Sequence, residues 1–193
     1  NNKEFDDILL AFLKASAADF EAPTDIGFTA VLYKIAVKYG IKYIFDGHSF
    51  RTEGIAPLDW SYMDGKYVSS VHKKYGKVPM KTFPNLSMSY FLYAMALRNI
   101  KRIRPLYFLD YNKEKAKKFL SDNYGWEWYG GHHLENRTAI FFHSYFLPQR
   151  TNKDLRQLGY AALVRSGQLK RSKAIKMLEK KVTCPEGIIE LLI

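Results

Sequence analysis

Apolar positions in residues 4–18 fall at Phe5, Ile8, Leu9, Phe12 and Leu13, close to the 3.6-residue repeat of an amphipathic helix. Residues 26–39 carry a second helical pattern, opened by Pro23 and Asp25 and stopped by Gly40. The period then changes. Residues 42–45 form a short apolar run that predicts a strand, and the run empties into the polar end of IKYIFDGHSFRTEG, residues 41–54. Helix, glycine and short strand make half of a βαβ crossover. A polar, glycine-bearing loop behind a strand is where open α/β folds hold their ligands.

Residues 57–84 are rich in Tyr, Gly and Pro and keep no sustained period. They predict a long loop with short elements around Asp64-Gly65 and Tyr75-Gly76, and loops of such length are often functional. Helical patterns follow over 87–97 and 113–123, the latter capped by Asn112 and ended by Gly125, with a second strand predicted between them at 101–104. Beyond Trp126 no strand pattern recurs. Three helices are expected at 135–146, 153–165 and 171–181, Gly167 separates the last two, and Cys184-Pro185 opens a final one. The predicted fold is therefore α/β, with a partial parallel sheet in residues 1–125 and a mainly helical part in 126–193.

At 193 residues and 47% hydrophobic, the chain is long enough for one domain with a substantial core, or one domain with a helical appendage. No stretch reaches the roughly 18 uninterrupted apolar residues of a membrane span. Cys184 has no second cysteine to pair with, no secretory-type leader opens the sequence, and a cytoplasmic protein is expected. The sequence begins Asn1-Asn2 and stops within the apolar run 188–193, which reads as a piece of a longer protein. A formal net charge of +11 favours anionic partners, including nucleic acid, nucleotides and phosphorylated small molecules. Basic groups lie at 101–104, 113–118 and 170–181, the last two on helical patterns where a solvated face explains them.

Two constellations carry chemistry. In the first, Gly47 at a strand end admits close approach of a ligand, His48, Ser49 and Thr52 supply hydrogen bonds, and Glu53 is placed for a base or a magnesium-bound phosphate. A structural alternative has His48 capping the strand end and Glu53 paired with a lysine. In the second, Gly130-Gly131 is followed by His132, His133, Glu135 and Arg137. Those residues supply an acid or base, an orienting carboxylate and an anion clamp within one short stretch. Metal binding there, with His143, lacks the spacing of a helical zinc motif, so no metal site is expected. Arg150, Asp154, Arg156, Gln168 and Arg171 form a third group suited to phosphate recognition or to surface ion pairs. Trp60, Tyr62, Trp126 and Trp128 sit beside polar segments and are placed to stack on a base or sugar ring.

GHSFRTEG behind a strand, followed by IRPLYFLDYNKEKA, resembles the second half of the PP-loop ATP pyrophosphatases. PLDWSYMDGKYVSSVHKKYG, YGWEWYGGHHLENRTAIFFHSYFLPQR and RSGQLKRSKAI resemble, more narrowly, the N-acetyl sugar amidotransferases of bacterial surface-polysaccharide biosynthesis. That resemblance implies a doubly wound sheet of the PP-loop type. It also implies an ATP- and magnesium-dependent conversion of the N-acetyl group of a nucleotide-linked sugar to an acetamidino group, with ammonia delivered by separate glutaminase and cyclase-like subunits. On it, Gly47, His48, Ser49, Thr52 and Glu53 contact ATP or the adenylate. His132 or His133 is the base, Glu135 its orienter, and Arg137 lies near a phosphate. Arg150 and Arg156 face the diphosphate of the sugar nucleotide. The Ser-Gly-Gly-x-Asp-Ser phosphate loop of such proteins does not occur in this sequence, so a C-terminal portion, inactive alone, is expected. A PP-loop enzyme acting on tRNA, and a non-catalytic domain binding nucleic acid or protein, are the alternatives; nucleic acid is the less favoured partner.

Overall fold

The computed structural model describes residues 2–55, 63–131, 134, 136–152 and 154–192. The chain divides into two compact units interleaved in sequence, one built from residues 1–46 and 57–103, the other from 47–56 and 104–193. The expected boundary at 125/126 falls inside the second. The fold is mixed α/β, mostly helical, with one small parallel sheet.

In the first unit, α1 (Asn2–Lys14) packs on α3 (Gly65–Tyr75), and α2 (Ala22–Tyr39) lies against α3 and the first strand. Of the apolar stripe read from the sequence, Ile8 and Phe12 are inaccessible and Phe5, Leu9 and Leu13 half-buried; Ala11 is buried beside them, and Phe12 meets the ring of Tyr67 edge-on at 5.3 Å. Burying one such ring stabilises the unit by about 2–3 kcal/mol. Gly40 ends α2 in the left-handed conformation at φ 68° and donates its N–H back into the last turn. The chain then enters β1 (Tyr43–Phe45), which pairs in parallel with β2 (Lys101–Ile103) in the register Tyr43 to Lys101, Ile44 to Arg102 and Phe45 to Ile103. Asp46 extends the pairing by donating its N–H to the Ile103 carbonyl at 2.8 Å, and its carboxylate accepts from Arg102 Nε at 2.9 Å. Between the strands run α3, α4 (Met88–Leu92) and a π-helical turn (Tyr93–Leu97). Tyr33, Ala36, Ala94 and Ile100 form the core beneath them.

Helix α3 corrects the expectation of a loop through residues 57–84. Asp64 caps it by accepting from Tyr67 N at 2.6 Å, and Gly65 is buried so tightly that a Cβ would overlap the Leu86 carbonyl. The apolar positions Tyr67, Val68, Val71 and Tyr75 do follow a helical period, but over only three turns bounded by glycines. The segment behind α3 is held by carboxylates of α1. Glu4, 2% exposed, accepts from Thr82 N, Thr82 Oγ1 and Phe83 N, and Asp7 accepts from Lys77 N and Val78 N while contacting His72 Nε2 at 3.0 Å. Hydrogen bonding from the Thr82 hydroxyl, helped by backbone N–H groups and opposed by burial, draws the Glu4 carboxyl down to about 2.

The second unit contains a 3₁₀ turn (Pro105–Tyr107), α5 (Lys113–Tyr124), α6 (Arg137–Phe141), a π-helical segment (Phe142–Phe146), α7 (Leu147–Thr151), α8 (Arg156–Arg165), α9 (Arg171–Glu179) and α10 (Ile188–Leu192). Asn112 caps α5 by accepting from Lys115 N, and Gly125 ends it with a left-handed residue, as the sequence predicts. Asn136 caps α6 by accepting from Ala139 N at 2.8 Å, and the helix starts at Arg137. Phe141, Phe142, Leu147 and Ala162 are buried here. Among the described residues no helix is long and apolar enough to cross a membrane.

Candidate functional site

The loop behind β1 and the loop behind β2 both belong to the second unit, and they pack on each other. Backbone N–H groups of Thr52 and Glu53 turn back to the Ser49 carbonyl at 3.1 and 2.9 Å, closing residues 49–53 into a single turn. Its side chains alternate. Ser49 and Thr52 are buried, while His48 and Glu53 remain about one-third exposed. Gly47 is exposed, with nothing near the position a Cβ would take, so its backbone is open to close approach.

Tyr107, in the 3₁₀ turn behind β2, places its hydroxyl 2.9 Å from His48 Nδ1, and Glu53 Oε2 lies 3.5 Å from Nε2 of the same ring. The carboxylate favours the tautomer with hydrogen on Nε2, which leaves Nδ1 to accept from the Tyr107 hydroxyl. Tyrosine, imidazole and carboxylate thus stand in one row. Phe50 packs edge-on against Tyr107 at 4.9 Å, and Arg51 Nη1 donates to the Leu109 carbonyl. Both fix the loops to each other.

The helical part braces this pair of loops. Ser166 Oγ donates to the Arg51 carbonyl at 2.9 Å. Gln168 Nε2 donates to the Tyr111 carbonyl, and its Oε1 accepts from Lys113 N, both at 2.9 Å. At Gly54 the backbone adopts φ 79°, and a Cβ would sit 2.9 Å from the Leu158 carbonyl oxygen, so α8 approaches this turn where only glycine fits. Burial and the charge of Glu53 push the Tyr111 hydroxyl up. Burial, with Lys117 adding to it and Glu53 and Glu114 opposing, draws the Lys113 ammonium down.

Of the residues expected from sequence, His48 and Glu53 are therefore brought together, and Gly47 lies beside them. Ser49 and Thr52 face inward; Ser49 Oγ is wholly buried, with no hydrogen-bond partner among the described residues. Arg137 and Arg150 are exposed near opposite ends of the helical run 137–151, about 20 Å apart along its axis, too far to grip one phosphate together. Arg156 forms a fork with Asp154, at 2.7 Å for the closest pair, and donates to the carbonyls of Met177, Leu178 and Lys180, tying α8 to the end of α9. His132, His133, Glu135, Trp60 and Tyr62 lie outside the described residues. Tyr107, Tyr111 and Lys113 were not singled out from sequence. The signal was present in IRPLYFLDYNKEKA, which follows a strand as GHSFRTEG does.

The open backbone at Gly47 lies next to the exposed edges of His48 and Glu53. Magnesium takes one or two carboxylates with phosphate oxygens and water rather than an all-protein cage. Glu53 is the carboxylate present here, and among the described residues no group of three metal-ligating side chains gathers. A cavity of about 400 Å³ opens elsewhere, in the first unit, between Phe5, Phe28, Val31, Phe83 and Pro84. None of the expected residues lines it.

Residues 135–191 match the family model described as LPS biosynthesis protein WbpG-like, C-terminal domain. No curated protein and no solved structure matches the chain. The matched segment contains Leu158, Ser166 and Gln168, the residues that brace the two loops.

Proposed function

We infer that this chain is part of an ATP-dependent amidotransferase of surface-polysaccharide biosynthesis, acting on the N-acetyl group of a nucleotide-linked sugar. The observation that carries this reading is the likeness of residues 135–191 to a lipopolysaccharide-biosynthesis domain, joined to the fact that this segment supports the Tyr107–His48–Glu53 row. The amide oxygen of the substrate attacks the α-phosphorus of ATP, pyrophosphate leaves, and the amide N–H proton is lost to give an O-adenylyl imidate. Ammonia then adds to the imidate carbon, AMP departs with the former amide oxygen, and one proton is given up as the acetamidino group forms.

In this scheme Gly47, His48 and Glu53 contact ATP and the adenylate, and Glu53 is the carboxylate nearest the magnesium. Ser49 and Thr52 shape the turn that presents them. His132 or His133, with Glu135, takes the proton of the incoming nitrogen. Arg137 and Arg150 serve separate phosphates. The fold is read as a doubly wound PP-loop sheet of which β1 and β2 are two strands, and the pyrophosphate grip belongs to residues that this sequence does not hold. Glutaminase and cyclase-like subunits supply the ammonia.

The test uses the full-length parent protein with ATP, magnesium, ammonium and UDP-linked N-acetyl sugars, following AMP and pyrophosphate. AMP release that requires the sugar nucleotide, and that falls at least about a hundredfold in His48→Ala, is expected. AMP release that instead requires tRNA, with tight and salt-sensitive tRNA binding, would replace this reading by a tRNA-modifying one, to which the net charge of +11 lends itself. Binding of nucleic acid or protein without AMP release would leave a non-catalytic domain.

A further inference from the structure

Behind α5 the left-handed Gly125 folds the chain back on the helix, and Trp126 N–H reaches the Leu120 carbonyl at 3.3 Å. This reversal gathers three aromatic rings. Trp126 lies 5.8 Å from Trp128 and 6.0 Å from Tyr129, while Trp128 and Tyr129 are 4.9 Å apart and 32° from parallel. Rings gathered only to fill a core would be buried, yet Trp128 is 40% and Tyr129 46% exposed. They form a tilted, half-exposed pair against which a further planar ring can pack.

Two ammonium groups stand over the same indole. Lys117 Nζ is 3.8 Å from the Trp128 ring centre and Lys113 Nζ 5.9 Å, one helical turn apart on α5. Lys117 pairs with the exposed Glu114 at 2.7 Å, a contact open to solvent, and Glu53, which acts on Lys113, is itself in contact with His48. Lys113 is partly buried, so its charge gains from an incoming anion more than an exposed lysine would. A flat apolar step beside two cations is complementary to a ring that carries phosphate.

We propose that Lys113, Lys117, Trp128 and Tyr129 form a nucleoside diphosphate site, with the base stacked on the Trp128–Tyr129 pair and the phosphates at the two lysines. The site stands apart from the amidotransferase reading. That reading adds only that the nucleoside diphosphate is the carrier of the sugar.

The test is direct binding to this chain by calorimetry and tryptophan fluorescence, using UDP, CDP, GDP, ADP, uridine and inorganic pyrophosphate. At least one nucleoside diphosphate is expected to bind and quench, with uridine and pyrophosphate each at least about tenfold weaker. Trp128→Ala and Lys117→Ala each weaken binding about tenfold or more, whereas Trp128→Phe, which keeps a stacking ring, restores most of it. Circular dichroism confirms that each variant is folded. Binding is read on this chain and AMP release on the full-length parent, so loss of the one does not decide the other. Failure of all four nucleoside diphosphates to bind overturns the proposal. So does pyrophosphate binding as tightly as they do, or a folded Trp128→Ala that binds like the wild type.

Discussion

The hydroxyl of Tyr107 lies 2.9 Å from Nδ1 of His48, across 59 positions of sequence. Each residue sits just behind one of the two parallel strands, so the contact joins two strand-end loops, where open α/β folds carry out their chemistry. Glu53 Oε2 faces the other ring nitrogen at 3.5 Å, so the imidazole lies between a hydroxyl and a carboxylate.

Tyr107→Phe keeps the ring that packs on Phe50 and removes only the hydroxyl. On the proposed reaction of the full-length parent protein it is expected to lower kcat for AMP release about tenfold or more, with KM for ATP changed little. Steady-state kinetics check this, and a slope in log kcat against pH that differs from the wild type would separate proton handling from loop packing.

Ser49→Ala tests whether the buried serine contacts a ligand or only shapes the turn. Its hydroxyl is buried without a partner among the described residues. Removing such a group is expected to leave stability unchanged or raise it by about 1 kcal/mol. ATP affinity should stay the same. A fall in ATP affinity at constant melting temperature would return Ser49 to the binding surface.

Arg156→Lys separates a fold role from substrate binding. A lysine cannot reproduce the fork to Asp154 together with the carbonyls at the end of α9. Stability is expected to fall by about 1–2 kcal/mol in urea titrations, with nucleotide affinity unaltered.

Acid should loosen the first unit. The Glu4 carboxyl is held at about 2, below its ordinary value, so the folded state binds fewer protons than the unfolded chain as pH falls. Its contribution is complete above the ordinary glutamate value of about 4.3 and is lost on the way down to the folded value. Asp7 is raised by burial, but N–H groups of Val78 and Lys77 and the His72 ring outweigh this, so it acts in the same direction. Urea midpoints should be level from pH 7 to about 5 and drop below about 4.5, and Glu4→Gln should flatten that drop.

Much of the helical frame was legible because it rests on local signals. The caps at Asn112 and Gly125, the stop at Gly40 and the apolar stripe of α1 are all written within a few residues of where they act. Helix α3 was hidden because its stabilisation is not local: Gly65 has to clear the Leu86 carbonyl, and Val68 is buried through packing of α3 on α1. The site divides in the same way. His48 and Glu53 are five residues apart and were read as one constellation, whereas Tyr107 and Lys113 reach them only through the fold. The inward turn of Ser49 and Thr52 was also out of reach, since it depends on α8 closing over Gly54.

Gln168 has a consequence of its own. Its side-chain amide donates to one carbonyl and accepts from an N–H two residues on, as a peptide group of an adjoining strand would. It therefore reads the reading frame of the chain at 111–113: Asn112 is extended, so a slip of one residue would turn the backbone carbonyl and N–H to the other side, and glutamate at 168 would lose the donor altogether. The turn between α8 and α9 works as a key cut for one alignment of the start of α5, and so for the height at which Lys113 is carried.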